Sequence, residues 1–391
     1  MGKRIFLLVI DGFGVGESPD ADRFGDKGSN TFLNLYNVHK MNIPFLSKVG
    51  IKNIDGIGLN IAEKDLIGAY GKLQEKSNGK DTTTGHFEMM GIITKYPMPT
   101  YPNGFPKKIV SELEKAWGVG ILGNIAISGT EVIKMLGDEH IKTKKPIVYT
   151  SADSVLQIAT HTDVYSIDEL YKLCEQARKI MHGKNAVGRI IARPFKTDEN
   201  GNFVRINEGR KDFSLSPEKP NTMSKLLKIG KDVIAVGKID DIFNHESVTE
   251  TYSNHTNKDA LQVTEKLLDK DFDGLAFVNL VDTDMVYGHR NDIEGYAKAI
   301  EQIDEFLAKT YYKLKNDDIV IITGDHGCDP TTPSTDHSRE YTPCLIYSKM
   351  LEKSVNLGTM LGFDEIGKFI EKLFGLNTDS VIYNKIFSKG E

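Results

Sequence analysis

The residues of this chain best suited to chemistry gather toward its C-terminal end. Within residues 319–337 an apolar run, Ile319-Val320-Ile321-Ile322, changes abruptly to Thr323-Gly324-Asp325-His326-Gly327, and Asp336-His337 follows across a loop containing Pro330 and Pro333. Two carboxylates and two imidazoles on so short a segment suit a divalent metal with mixed oxygen and nitrogen ligands. For any single Asp-His pair, a turn-capping aspartate with surface histidines is the more probable account. The pattern recurs, however. Asp282-Thr283-Asp284 and then His289 follow the run Leu275-Ala276-Phe277-Val278-Asn279-Leu280-Val281, and Asp11-Gly12 follows an apolar hexad over residues 5–10. Asp11, Asp284, His289, Asp325, His326 and His337 make six candidate ligands, enough for two sets of three with open positions for substrate.

A candidate nucleophile lies in Gly79-Lys80-Asp81-Thr82-Thr83-Thr84-Gly85-His86. Threonines in such a place commonly cap a helix. A metal-activated hydroxyl has the same local needs, a tight turn beside the exposed amides of a helix start, and the metal set favours that use. His86 is expected to brace the loop rather than to bind metal.

These side chains need a scaffold, and the apolar runs supply it. Runs of β-branched residues without alternation read as strands buried on both faces of a parallel sheet, and ligands bind at the C-terminal edge of such sheets. Asp11, Asp284 and Asp325 each follow a strand tip there, as does Lys238 after the run at residues 232–236. A patterned helix is expected over residues 292–313, with Ala299, Ile303 and Phe306 on its apolar face. The glycines of residues 12–16 lack the dinucleotide spacing. From Tyr96 the texture changes: Pro97, Pro99, Pro102 and Pro106 punctuate a short interval, and helical patterns at 111–117 and 170–181 alternate with strand-like runs at 147–150 and 189–192. A Glu-Asn-Gly-Asn centre predicts a hairpin over 198–206. Residues 97–213 are therefore read as an inserted cap, and residues 1–96 with 214–391 as a discontinuous core. Arg189, Arg193, Arg205 and Arg210 give the cap cations for an anionic substrate, although solvated surface charge is the default explanation for each taken singly.

Composition bounds the rest. At 391 residues the chain is long for one core, and a net charge of -6 without a basic stripe gives no reason to expect nucleic acid. No apolar run could span a bilayer, no signal-peptide pattern opens the chain, and three cysteines form no disulfide framework, so a cytoplasmic protein without membrane contact is expected. Cys328 lies near the candidate ligands, where packing is the expected role for a lone thiol. Nothing demands an oligomer, and a monomer is the expectation.

The Asp-Gly strand tip, the Thr-Gly-His loop, the Asp-His-Gly strand tip and the late Asp-His resemble the alkaline phosphatase superfamily, and within it the chain is similar to the phosphopentomutase family. The specific pieces are Gly79-Lys80-Asp81-Thr82 with Thr84-Gly85-His86, Ser128-Gly129-Thr130-Glu131, residues 149–157, Gly188-Arg189 with Ala192-Arg193-Pro194-Phe195, and Thr335-Asp336-His337 with Arg339-Glu340. Gly12 stands where that family often has serine, and Thr83 also varies. The resemblance implies an α/β fold: a central, mostly parallel sheet flanked by helices, carrying a smaller inserted α/β cap. It implies one metal held by Asp11, Asp325 and His326, a second by Asp284, His289 and His337, and Thr82 between them. Manganese is the metal the family favours, whereas the ligand types alone admit Mn²⁺, Mg²⁺ or Zn²⁺. It places Ser151, Asp153, Arg189, Arg205 and Lys238 around a pentose phosphate. The implied activity interconverts ribose 1-phosphate and ribose 5-phosphate, and the deoxyribose pair, through phosphothreonine and a 1,5-bisphosphate, with a sugar bisphosphate to prime Thr82. A phosphatase or phosphodiesterase of the same superfamily would present the same metal ligands.

Overall fold

The structure is a computed structural model describing residues 3–151, 154–253 and 255–387. Its chain divides into two compact units, Met1–Lys95 with Pro217–Glu391, and Tyr96–Ser216. The strands of the first half are β1 (Arg4–Ile10), β2 (Gly68–Gln74), β3 (Leu122–Ala126), β4 (Ile147–Thr150), β5 (Val155–His161), β6 (Arg189–Thr197), β7 (Phe203–Arg205) and β8 (Lys211–Ser214). Those of the second half are β9 (Asp232–Val236), β10 (Glu250–Tyr252), β11 (Gly274–Leu280), β12 (Ile319–Thr323), β13 (Thr342–Tyr347) and β14 (Val355–Leu361).

An eight-stranded sheet in the order β10-β9-β11-β1-β12-β13-β2-β14 forms the first unit. Every residue of β1, β11 and β12 is buried, as their unbroken apolar runs require. These strands are parallel and nearly flush, with Ile10 opposite Leu280 and Val9 opposite Thr323, so their C-terminal tips open onto one edge. Lys238 follows β9, which pairs with β11 in parallel.

The other side of the sheet is irregular. β13 runs antiparallel to both β12 and β2, and β2 pairs with β14 in parallel. Strand β2 reads poorly from sequence because its glycines serve backbone approach. A Cβ on Gly68 would lie 2.5 Å from the Ile346 carbonyl oxygen, and one on Gly71 would lie 2.5 Å from that of Gly358.

The helix expected over 292–313 is Ile293–Thr310, capped by the Asp292 side chain and followed by a short 3-10 turn. Its buried face packs Tyr296, Ile300, Ile303 and Leu307 into the main core, and the Tyr296 hydroxyl donates to the Gly12 carbonyl at 2.8 Å. One side chain of the core helix therefore holds the turn that follows β1.

In the second unit the order is β3-β4-β5-β6-β7, with β8 also paired to β6. Helix Ile167–Ile180 begins in a capping box of Ser166 and Glu169, three residues before the apolar pattern started in the sequence. β6 and β7 form the expected hairpin, and the Asp198 carboxylate accepts from the amides of Asn200 and Asn202. Helix Gly129–Thr143 had no counterpart in the sequence reading. Its buried residues, Val132, Ile133, Gly137 and His140, contain too few large apolar groups to mark a stripe.

Candidate metal centre and nucleophile

Three strand tips and two loops build the site. Asp11 directly follows β1, its Oδ2 accepting from Asn279 Nδ2 at 3.0 Å while its Oδ1 has no hydrogen-bond partner among the described residues. Asn279 is a functional residue that the sequence reading passed over. An amide within an otherwise apolar strand was the available signal.

Asp325, two residues past the end of β12, shows a similar division of labour. Its Oδ1 accepts from the Gly12 amide at 3.0 Å and the His326 amide at 3.1 Å, and its Oδ2 is left without a hydrogen-bond partner. The next ring, His326, is oriented by a contact of 3.0 Å between Nδ1 and the Gly327 carbonyl. Its Nε2 lies 3.4 Å from both Asp11 Oδ1 and Asp325 Oδ2.

Asp284 stands on a π-helical turn, Thr283–Tyr287, that continues from β11, a departure from regular helix often found at functional sites. Its Oδ2 lies 3.2 Å from His289 Nε2 and its Oδ1 3.4 Å from His337 Nε2. The Thr335 carbonyl engages His289 Nδ1 at 2.7 Å, which leaves Nε2 facing the carboxylate. The rings of His326 and His337 are 4.0 Å apart between centroids, so the two sets adjoin.

Donor atoms of Asp11, Asp325 and His326 lie within 4.8 Å of one another, as do those of Asp284, His326 and His337. Those of Asp284, His289 and Cys328 do so too. Burial, then Asp284, push the Cys328 thiol far above its ordinary range.

Electrostatics matches the donor set to a cation. Burial and then Asp325 raise the pKa of Asp11. Burial pushes Asp325 upward as well, but His326, His86 and the Gly12 amide outweigh it and hold the group at about 2. Asp284 is held well below the carboxylate range: burial opposes its charge and the contacts with His289 and His337 prevail. His289 is lifted to about 9, chiefly by Asp284. Asp11 Oδ1, Asp284 Oδ1 and Asp325 Oδ2 are all buried without hydrogen-bond partners among the described residues. Such a set is costly alone and well suited to divalent cations.

Thr82 is the first residue of helix Thr82–Met89, where free amides favour an anion. The Asp81 side chain caps the helix by accepting from the Thr84 amide, and Thr82 Oγ1 lies 3.2 Å from His326 Nε2. His86 Nδ1 engages the Thr82 carbonyl at 2.8 Å and lies 3.2 Å from Asp325 Oδ2, a brace between the helix of the candidate nucleophile and the strand tip. Gly85 makes this approach possible, because any Cβ there would collide with the Asp325 carbonyl.

The expected substrate residues belong to both units. Lys238 is the N-cap of the short helix after β9. In the second unit, Arg189 Nη1 lies 3.5 Å from Asp212 Oδ2, and Arg210 pairs with both oxygens of Asp212 at 2.9 Å. Arg193 Nε donates to Gln157 Oε1 at 3.0 Å, and Arg205 donates to the Thr130 hydroxyl. Burial raises the Tyr149 pKa against the opposing fields of Arg193, Arg205 and Arg210, so these cations share one neighbourhood. Ser151 follows β4 directly, and Asp153 lies outside the described residues.

Comparison with known proteins adds an independent line. The Metalloenzyme superfamily matches residues 3–378. The phosphopentomutase of Carboxydothermus hydrogenoformans is 51% identical over 376 residues, covering 96% of this chain and 96% of that protein. That of Caldanaerobacter subterraneus subsp. tengcongensis is 50% identical over 376 residues, covering 96% and 95%. That of Clostridium novyi is 47% identical over 391 residues, covering 100% and 99%. Among solved structures, the phosphoglycerate mutase of Leishmania mexicana shares the fold, with a TM-score of 0.50 at 12% identity and 97% of each chain covered.

Proposed function

The chain belongs to the phosphopentomutase family of the alkaline phosphatase superfamily, a metal-binding isomerase, and from that membership we propose how its residues interconvert (deoxy)ribose 1-phosphate and (deoxy)ribose 5-phosphate. The observation that carries the reading is Thr82 Oγ1 at a helix N-terminus, 3.2 Å from His326 Nε2 and beside buried carboxylates with unpaired oxygens.

Asp11, Asp325 and His326 would hold one cation and Asp284, His289 and His337 the other, with Mn²⁺ as the proposed metal. Bound there, the cations neutralise charge on a transferring phosphoryl group. Thr82 carries the phosphoryl group in the resting enzyme. A sugar hydroxyl of the monophosphate takes it: the bond from phosphorus to Thr82 Oγ1 breaks, the bond to the sugar oxygen forms, and the hydroxyl proton ends on Oγ1. The resulting 1,5-bisphosphate returns its other phosphoryl group to Thr82 and recovers that proton on the sugar. The free amides of the Thr82–Met89 helix start favour the phosphoryl oxygens, Asp81 caps that helix, and His86 braces it against Asp325. Arg189, Arg205 and Lys238 are assigned to the phosphate that stays on the sugar, and Ser151 and Asp153 to its hydroxyls. A sugar bisphosphate primes Thr82, and the work is done in the cytoplasm by a monomer.

The test follows ribose 5-phosphate and free phosphate together, with ribose 1-phosphate and Mn²⁺ supplied to the purified protein. Conversion with little phosphate released, and phosphothreonine at Thr82, are expected. Phosphate release without isomerisation would return the site to the hydrolases.

A further inference from the structure

Two adjacent side chains beyond the metal loops bear on the site from opposite sides. Glu340 is fully buried, and four donors converge on it. Its Oε2 accepts from the Gly16 amide at 3.1 Å and the Thr31 amide at 2.9 Å, and its Oε1 from the hydroxyls of Thr31 at 2.8 Å and Ser338 at 2.7 Å. A Cβ on Gly14 would collide with the carboxylate, and one on Gly327 would lie 2.5 Å from its Oε1. Gly14 and Gly16 lie on the segment that follows Asp11, Gly327 follows His326, and Ser338 follows His337. Gly327 and Ser338 exchange backbone hydrogen bonds, Gly327 N to Ser338 O at 3.0 Å and Ser338 N to Gly327 O at 2.7 Å. One carboxylate thus underpins loops that carry ligands of both metal sets.

Arg339 turns the other way and uses every donor of its guanidinium. Nε and Nη2 donate to the two Asp20 oxygens at 3.1 Å, Nη2 also donates to the Glu75 carbonyl at 3.0 Å, and Nη1 donates to the Gly79 carbonyl at 2.6 Å and to the Glu75 carboxylate. Gly79 begins the turn that delivers Thr82. The Arg339 amide donates to Asp26 Oδ2 at 2.8 Å, and Lys80 reaches the same carboxylate at 3.1 Å. Arg339 grips the turn before the nucleophile, where Glu340 grips the loops of the ligands.

We propose that Arg339 and Glu340 are positioning residues with separate duties: Glu340 sets the ligand loops and so metal affinity, and Arg339 sets the Thr82 turn and so phosphoryl transfer. The inference rests on Thr82 and the six ligands acting as proposed above. Glu340→Gln keeps the shape but turns an amide group toward donors. Disturbing groups behind metal ligands weakens metal binding roughly 10–100-fold. Arg339→Lys keeps the charge and loses the fork that meets four acceptor groups on three residues at once.

The experiment measures Mn²⁺ affinity by calorimetry, Thr82 phosphorylation by intact-mass spectrometry after priming with a ribose bisphosphate, and kcat and KM, in the full-length wild type and both variants. Glu340→Gln is expected to weaken Mn²⁺ binding about 10–100-fold and to regain phosphorylation when Mn²⁺ is raised. Arg339→Lys is expected to bind Mn²⁺ like wild type, to lower kcat and the rate of Thr82 phosphorylation by at least about tenfold with KM little changed, and to show no rescue by metal. Where either variant fails to fold, Ser338→Ala and Asp20→Asn remove one contact from each network and carry the same expectations at smaller size. Equal loss of both readouts in both variants, or neither loss in either, would overturn the division of duties. A wild type that binds Mn²⁺ yet never becomes phosphorylated on Thr82 would instead overturn the assignment of the nucleophile.

Discussion

Asp11→Asn should move the stability of the metal-free and metal-loaded protein in opposite directions. Asp11 has one oxygen bonded to Asn279 and one buried without a partner, with Asp325 and Asp284 acting against its charge. An asparagine keeps the acceptor toward Asn279 and turns its amide group toward His326 Nε2, which lies 3.4 Å from the present Oδ1. Relieving one unsatisfied buried acceptor is worth about 1–3 kcal/mol. Melting of the metal-free variant should therefore rise by roughly 1–2 °C for each kcal/mol gained. Metal reverses the order. An ion at 100 times its dissociation constant stabilises the native state by about 2.7 kcal/mol, and a variant binding 100-fold more weakly retains only about 0.4 kcal/mol of that. The assay is a melting series in chelator and in rising Mn²⁺, with calorimetry for the binding itself. A variant that melts below wild type in chelator, or that gains as much from Mn²⁺ as wild type does, refutes the reasoning.

Thr82→Ala should lower turnover by at least about 10³-fold while leaving the Mn²⁺-induced rise in melting temperature intact, because the hydroxyl alone is removed; parallel activity and melting measurements check it. Arg205→Gln should raise KM for the pentose phosphate about 10–100-fold with a smaller effect on kcat, the loss expected for one charge-assisted contact, and steady-state kinetics at fixed Mn²⁺ gives the split. Glu340 is held at about 7, above its ordinary 4.5, because burial outweighs the donors from Thr31 and Ser338. A carboxyl whose pKa rises on folding contributes stability that is complete below about 4.5 and lost as pH rises through about 7, roughly 3 kcal/mol in all. Denaturant unfolding of the metal-free protein between pH 5 and 8 should show that fall, and Glu340→Gln should flatten it.

Much of the candidate site was legible because its proposed ligands sit where an apolar run meets a carboxylate. The runs ending at Ile10, Leu280 and Thr323 are buried on both faces, so their composition alone marks them as central strands, and their tips fall on one edge. Charge and spacing identified Asp325 and His326 in the same way. What stayed hidden depends on contacts distant in sequence. Asn279 looks like an interruption of β11 until Asp11 is placed beside it, and Glu340 looks like loop charge until the amides of Gly16 and Thr31 converge on it. β2 hides behind glycines required by neighbouring backbones, not by its own turn. The boundaries of the insert, read at 97 and 213 from proline and texture, compare with 96 and 216 from packing. A texture change registers where composition shifts, whereas packing continues until the chain's neighbours change.

The position of β1 at the middle of the sheet has a consequence for biosynthesis. Ile5 pairs with Leu275 on one side and Ile319 on the other, so the first strand made waits for partners among the last. At ~5–20 residues per second, roughly 15–60 s pass between emergence of the hexad and emergence of both its neighbours. The second unit is continuous in sequence and can complete its own sheet during that delay. The nascent core meanwhile carries an unpaired apolar strand, the kind of segment that chaperones shield. Translation speed and chaperone supply thus become determinants of yield for a protein whose finished sheet leaves that strand no exposed edge.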